Sequence, residues 1–215
     1  MKATREKLRF DFIEISILGE LDSYKEHTIK IEKFLTKEIE FFETKKQNTI
    51  SRLSEYDKEA YLDFVDDIYW DLNETYPTIQ RQSELISIYT LLENSLNQLC
   101  FTCEKYVENP IKMADLSSKG IVGKYKKYLE KVVQIKFPSE SDSWNEIINI
   151  QEIRNAIVHN NSVVKSGNTR LLGYIKQSNY LLVNENYKIE IKSGFSLYCL
   201  DIFKTFFSEL FLRMG

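Results

Sequence analysis

The chain of 215 residues contains only seven glycines and three prolines, and this shortage excludes several kinds of protein. So little glycine leaves no glycine-rich loop to hold a nucleotide phosphate, and so few helix-breaking residues favour long helices. No apolar run is long enough to span a membrane, and the first ten residues lack the pattern of a signal peptide. With 43% hydrophobic and 28% charged residues, we expect a folded, mainly helical, cytoplasmic protein.

Cysteine and histidine are also scarce, with three and two residues. Three cysteines cannot form a disulfide framework, which agrees with a reducing compartment. Cys100 and Cys103 form a CxxC pair, but the pair lies inside a helical pattern with no second pair and no histidine nearby. We therefore predict buried, apolar cysteines and expect no metal site and no cofactor.

Positive charge is concentrated in one segment of an otherwise acidic chain. The net charge of −3 and a pI of about 5.6 do not fit a general nucleic-acid coat protein, so any RNA contact must be local. The lysine-rich segment around residues 124–131 predicts a basic helix that could contact the phosphates of an RNA backbone. Alternatively, its lysines form an ordinary solvent-exposed helix face. Its candidate RNA-binding residues are Lys124, Lys126, Lys127 and Lys131.

The spacing of apolar residues predicts most of the secondary structure. We expect helices over Lys2–Gly19, Lys25–Lys46, Ser54–Asn73, Glu84–Val107, residues 143–160 and Phe195–Met214, and a small β-hairpin or meander between Thr169 and Ile191. Pro77 suits a helix start. Residues 1–76 would form an amino-terminal helical extension packed on a core of residues 77–215. Aromatic residues such as Phe64 and Trp70 suggest that much of the acidic segment around them is buried.

The most informative motif is the run Arg154-Asn155-Ala156-Ile157-Val158-His159-Asn160. A capping-box pattern, Ser143 followed by Glu146, predicts the start of its helix, and Asn160-Asn161 its end. Histidine can move a proton near neutral pH and arginine binds phosphate, so the pair could cleave a phosphodiester. Alternatively, Arg154 pairs with a nearby acid, namely Glu152, Glu146 or one on another helix, and His159 caps the helix.

Two antiparallel helices, a basic helix between them and the motif Arg154-Asn155-x-x-x-His159 resemble the HEPN superfamily over roughly residues 80–213. The four intervening residues lie at the short end of the family's Arg-x4-6-His range. Glu152, Asn160 and the hairpin before the last helix also look like prokaryotic members. The resemblance implies a HEPN-like antiparallel helical bundle with a small β-hairpin before the carboxy-terminal helix.

The resemblance further implies a metal-independent endoribonuclease of a toxin–antitoxin or phage-defence system. Two protomers of a homodimer would combine their motifs, with Arg154 and His159 catalytic and Asn155 holding a side chain or a phosphate oxygen. Partners would be RNA and a possible antitoxin or defence protein. Some HEPN toxins carry a modifiable tyrosine two residues after the histidine, but Asn161 stands there, so neutralisation by that modification is not expected.

The superfamily also contains members without catalytic activity. On that alternative, this chain is a HEPN-like helical module that binds a protein partner or a nucleotide. The amphipathic helices before residue 75 would then form the interface, because an acidic, aromatic-rich surface favours protein contacts over RNA contacts.

Overall fold

A computed structural model describes residues 2–106, 109–118 and 120–214, with side chains from residue 10 onward. Val107, the last residue of the helix predicted from Glu84, lies outside these ranges, as do the first and last residues of the chain. The fold is mainly helical, with a two-stranded antiparallel hairpin before the last helix, as predicted. The elements are α1 (Lys2–Ile50), α2 (Glu55–Trp70), α3 (Tyr76–Tyr106), α4 (Ile121–Lys131), α5 (Asp142–His159), α6 (Thr169–Gln177), β1 (Leu181–Val183), β2 (Ile189–Ile191) and α7 (Phe195–Leu212).

The first helix, α1, is longer than the sequence suggested. It runs without a break for 49 residues and replaces the two helices predicted over Lys2–Gly19 and Lys25–Lys46. No proline interrupts the segment, and Gly19 alone costs too little to end a helix. At 1.5 Å per residue, α1 is about 74 Å long.

The first part of α1 packs on the core through one stripe that includes Ile13, Ile17 and Leu21. Polar contacts fix its direction against two other helices: Asp22 binds Lys204 and Lys25 binds Asp201 on α7, each at 2.6 Å. On α3, Glu84 accepts a hydrogen bond from Thr28 at 2.7 Å, and Arg81 binds Glu32 with two hydrogen bonds of 2.8 and 3.0 Å. These pairs show that α1 runs antiparallel to both α7 and α3.

Helices α2 and α3 are joined by a π-helical turn, Asp71–Thr75, rather than by a break. Pro77 lies in the first turn of α3, close to the predicted helix start. Proline has no N–H to donate and crowds the carbonyl four residues earlier, and a widened turn relieves this crowding. The acidic helix predicted over Ser54–Asn73 thus starts as expected, with Ser54 as its N-cap, and continues into α3.

The second half of α1 and α2 form a helical hairpin with little core of its own. Phe42 and Tyr69 touch with ring centroids 6.4 Å apart. The expectation that aromatic residues bury this segment is wrong: Phe64 is 72% exposed and Trp70 65% exposed. The reason is that α2 packs against α1 and the π-helical turn, while its other side faces solvent.

The motif helix α5 begins two residues earlier than predicted. Ser141, not Ser143, is its N-cap, and the Ser141 hydroxyl accepts a hydrogen bond from the Trp144 backbone N–H. Ser143 instead donates to Glu209 on α7, and Glu146 binds tyrosines. Because Ser143 and Glu146 have these other partners, they do not form the predicted capping box.

The segment predicted as a hairpin or meander is partly helical. Residues Thr169–Gln177 form α6, whose Leu171 and Ile175 are buried at a helical i, i+4 spacing. Asn168 caps this helix by accepting a hydrogen bond from the Leu171 N–H. The strands β1 and β2 follow and pair Leu181 with Ile191 and Val183 with Ile189.

Helix α7 lies at the centre of the bundle, in contact with α1, α3 and α5. An aromatic cluster fixes one end of it: Phe206 lies 5.6 Å from both Phe137 and Trp144, centroid to centroid. Since α7 runs antiparallel to α1 and α5, and α1 antiparallel to α3, helices α3 and α5 are antiparallel to each other. Among the described residues, no helix is both long and apolar enough to cross a membrane.

Cys100, Cys103 and Cys199 are buried free thiols, as predicted for the CxxC pair. Burial raises the pKa of Cys103 to about 12 and also raises the pKa of Cys100. These thiols therefore stay protonated at neutral pH and serve as apolar packing groups.

Candidate functional site

The motif occupies the last turns of α5, and the backbone ends the helix directly after it. The N–H groups of Asn160 and Ser162 both donate to the Ala156 carbonyl, at 3.0 and 2.9 Å. Asn161 and Ser162 take left-handed backbone conformations with φ of +51° and +65°. Asparagine tolerates this conformation, so the predicted stop at Asn160-Asn161 is confirmed.

Arg154 faces α3, where two residues one helical turn apart form its seat. Its Cζ lies 5.2 Å from the centroid of the Tyr89 ring, and its Nη2 lies 3.7 Å from Glu93 Oε2. Its Nη1 donates a 3.0 Å hydrogen bond to Asn155 Oδ1. Of the acidic partners that the sequence allowed, the structure therefore selects one on another helix.

The hydrogen-bonding capacity of the Arg154 guanidinium is only partly used in this seat. The guanidinium has five N–H donors, yet within the described residues its Nε is buried without a hydrogen-bond partner, as is the Tyr89 hydroxyl. Burial raises the pKa of Glu93, and the nearby Arg154 charge only partly opposes that rise. Burial also raises the pKa of Tyr89. Arg154 thus has one buried donor without a partner, and its ion pair with Glu93, at 3.7 Å, is longer than a hydrogen bond.

The raised pKa of Glu93 predicts a pH-dependent stability. The folded protein keeps the carboxyl proton of Glu93 to higher pH than the unfolded chain, in which the pKa of this group is near 4.5. The contribution of Glu93 to the free energy of unfolding therefore falls as pH rises from the pKa of the unfolded state through the pKa of the folded state. Since Glu93→Gln cannot titrate, the free energy of unfolding of the wild type relative to this variant should fall as pH rises above 4.5.

Urea denaturation at several pH values measures this difference, and Glu38→Gln, at an exposed position of α1, is the matched control. A wild-type advantage that grows with pH would contradict the prediction. It would mean that the ion pair with Arg154 outweighs the cost of burying the carboxylate.

His159 lies on a different face of α5 from Arg154. Five residues at 100° each place the two side chains about 140° apart. His159 is exposed, and within the described part of the chain its side chain makes no hydrogen bond or ion pair. Glu152, Asn155 and His159, at i, i+3 and i+7, share one face.

A polar groove of about 530 Å³ runs along part of that face. It is lined by Glu152, Asn155, Ala156, Asn160, Val163, Val164, Lys165, Asn168 and Leu171. His159 does not line the groove itself, but it shares the face of α5 with the lining residues Glu152 and Asn155. Three of the predicted site residues, Asn155, Glu152 and Asn160, thus line one groove, while Arg154 lies behind it.

Glu152 is held by α6 rather than by Arg154. It pairs with Arg170, which also donates to Asn149 at 2.6 Å. Asn168 donates a further hydrogen bond of 3.4 Å to Glu152. These contacts give Glu152 the role of tying α6 to α5 and shaping one wall of the groove.

The lysines of α4 do not lie beside His159. Gly120, before α4, lies next to Gln151, and Lys126 Nζ lies 5.4 Å from the Trp144 ring centroid, so α4 runs antiparallel along α5. Trp144 and His159 are about 22 Å apart along the helix axis. An RNA would have to span this distance to contact both sites.

Lys126 also differs from the other candidate lysines. Its ammonium group lies over the rings of Trp144 and Phe137 and 4.0 Å from Glu130, so its charge already interacts with groups of the protein itself. Lys124, Lys127 and Lys131 follow i, i+3, i+7 spacing on another face of α4. On that face Lys127 and Lys131 are exposed and Lys124 is half-buried, and Lys127 Nζ donates a 3.1 Å hydrogen bond to the Ser117 carbonyl.

Tyr89 and Glu93 were not predicted as neighbours of Arg154. A signal for this contact exists in the sequence: Arg154 lies at i+4 from Ile150 and i+7 from Ile147, on the apolar stripe that faces the core. Glu93 likewise stands one helical turn after the buried Tyr89. A charged residue on each of two apolar stripes indicates a buried ion pair between the helices.

No cluster of metal-binding side chains is found among the described residues. No protein-family model, curated protein or solved structure matches this chain.

Proposed function

We propose that this chain is a metal-independent endoribonuclease of a bacterial toxin or anti-phage defence system, acting in the cytoplasm. The observation that carries the proposal is His159, which is exposed, makes no hydrogen bond or ion pair within the described residues, and shares one face of α5 with the groove residues Glu152 and Asn155. It lies five residues after Arg154, whose ion pair with Glu93 is 3.7 Å long, longer than a hydrogen bond. The biological role rests on the HEPN resemblance of the motif. A partner protein such as an antitoxin would hold the activity in check.

In the proposed reaction, the 2′-hydroxyl of RNA attacks the adjacent phosphorus, and the bond to the 5′-oxygen of the next nucleotide breaks. His159 accepts the proton of the hydroxyl and returns a proton to the leaving oxygen. Arg154 neutralises the charge that grows on the phosphoryl oxygens. The products are a 2′,3′-cyclic phosphate and a free 5′-hydroxyl, and DNA is not cut because it lacks the attacking group.

A homodimer accounts for the geometry of the two residues. Within one protomer, Arg154 and His159 lie about 140° apart around α5 and cannot easily reach one phosphate. An isologous contact near the end of α5 would bring His159 of one protomer towards Arg154 of the other. The phosphate then replaces the loosely held Glu93 as the partner of the guanidinium.

Mixing two inactive variants tests this composite site. If each site combines Arg154 of one protomer with His159 of the other, Arg154→Ala mixed with His159→Ala regains one intact site per heterodimer. Random exchange makes half of the dimers mixed, so about a quarter of wild-type cleavage should return. The readout is cleavage of a structured RNA after co-refolding, with each variant alone as the control. No recovery, despite heterodimers detected by native mass spectrometry, would contradict a shared site.

A second candidate function is a non-catalytic HEPN-like module that binds a protein partner or a nucleotide. Two observations favour it: Arg154 is engaged with Glu93, and α2 exposes aromatic residues such as Phe64 and Trp70 among acidic ones. Such a surface suits a protein partner. RNA cleavage that depends on His159 separates the two candidates.

A further inference from the structure

A second pocket, of about 260 Å³, lies where α5, α6, α7 and the start of the hairpin meet. Its lining combines one carboxylate with three tyrosines and a polar rim: Glu146, Tyr174, Gln177, Ser178, Asn179, Tyr180 and Tyr198. None of these residues belongs to the Arg154/His159 motif or to the groove beside it. The proposed ribonuclease reaction makes no use of them.

The centre of this pocket is organised around Glu146. Its Oε2 accepts hydrogen bonds from the hydroxyls of Tyr174, at 2.7 Å, and Tyr198, at 2.6 Å. The Tyr180 ring packs against Tyr198 with a centroid separation of 5.5 Å. The carboxylate and its two phenols are therefore held in fixed positions by three different helices.

The hydrogen-bond directions decide what this pocket can bind. Burial raises the pKa values of Tyr174 and Tyr198, and the hydrogen bonds to Glu146 raise them further, so both phenols keep their protons. Those protons point to Glu146, which leaves the phenol oxygens free only as acceptors. A ligand with N–H donors and positive charge fits such a site, whereas an anion would be repelled by the carboxylate.

We propose that this pocket binds a free primary alkylammonium ion, such as one end of a linear diamine. The three N–H donors of an ammonium group match the carboxylate and the two phenol oxygens. Tyrosine rings attract cations as well, and the short apolar chain of the ligand can lie along them. This inference does not depend on the ribonuclease proposal.

Calorimetric titration with butylammonium tests the proposal, with 1-butanol as the neutral analogue and tetramethylammonium as the cation without N–H groups. Glu146→Gln keeps an oxygen that can accept both phenol hydrogen bonds but removes the charge. Without the charge-assisted hydrogen bond to the ammonium group, this variant should bind butylammonium about tenfold more weakly, or weaker still. Glu185→Gln makes the same change of net charge at an exposed position of the hairpin turn and should bind like the wild type.

The proposal is overturned if butylammonium does not bind the wild type, or if Glu146→Gln and Glu185→Gln bind it equally. Equal binding of butanol would show a merely apolar pocket, and equal binding of tetramethylammonium would show that N–H donors are not recognised. Should Glu146→Gln not fold, NMR of the tyrosine rings in the wild type decides. Butylammonium must then shift the signals of Tyr174, Tyr180 and Tyr198, and unmoved signals would contradict the proposal.

Discussion

Replacing His159 by alanine is expected to slow RNA cleavage by about 10²- to 10⁴-fold, the usual contribution of a general acid–base group. The same variant should keep its stability, because His159 is exposed at the end of α5 and its side chain makes no polar contact within the described residues. We therefore expect its free energy of unfolding to stay within about 0.5 kcal/mol of the wild type. Initial cleavage rates and urea denaturation measure the two quantities.

The chain supplies a matched control in its other histidine. His27 has a side chain that is 62% exposed and lies on α1, 3.9 Å from Glu84, far along the sequence from the motif. His27→Ala should cleave RNA at the wild-type rate. A similar loss of cleavage in both variants, or a His159→Ala protein that does not fold, would favour a structural role for the motif.

Replacing Leu21 by alanine is expected to lower the free energy of unfolding by about 2–5 kcal/mol, the range found when a buried leucine is truncated. Leu21 is only 1% exposed and packs in the same hydrophobic cluster as residues of α3 and α7. The reason for the loss is the cavity left between α1 and those helices. Chemical denaturation followed by circular dichroism measures it.

Phe34→Ala, on the same helix, is the control. Phe34 is 58% exposed, so its replacement should change stability by no more than about 0.5 kcal/mol. If Leu21→Ala were equally harmless, the first part of α1 would not be packed on the core, and residues 1–76 would stand apart from residues 77–215. The expected contrast would support the prediction that the extension is packed on the core through the first part of α1.

The sequence was sufficient to place most helices, because their apolar stripes repeat with the helical period. The stripe of α3 is buried at this spacing, through Leu85, Ile88, Tyr89, Leu92, Leu96, Leu99 and Cys103. One error occurs where two local choices are equally good and the surroundings of the segment decide. Thr169–Gln177 has an apolar pattern that suits a strand or a helix, and the cap at Asn168 and packing against α5 select the helix.

The residues of the candidate site could be named from the sequence, but the neighbours that their side chains contact could not. The motif and the end of its helix follow from Arg154, His159 and Asn161 in the sequence. The seat of Arg154 on α3 depends on how α3 and α5 are rotated against each other, which local patterns do not encode. The Glu146 pocket was missed for the same reason, since Tyr174 and Tyr198 come from two other helices.

The most direct test of the central claim is the chemistry of the cut RNA ends. Purified wild type and the Arg154→Ala/His159→Ala variant are incubated with a structured RNA in excess chelator, and the fragments are analysed by mass spectrometry. We predict 2′,3′-cyclic phosphate ends from the wild type only. Cleavage that stops in chelator, or that persists unchanged in the variant, would contradict a metal-independent ribonuclease built on this motif.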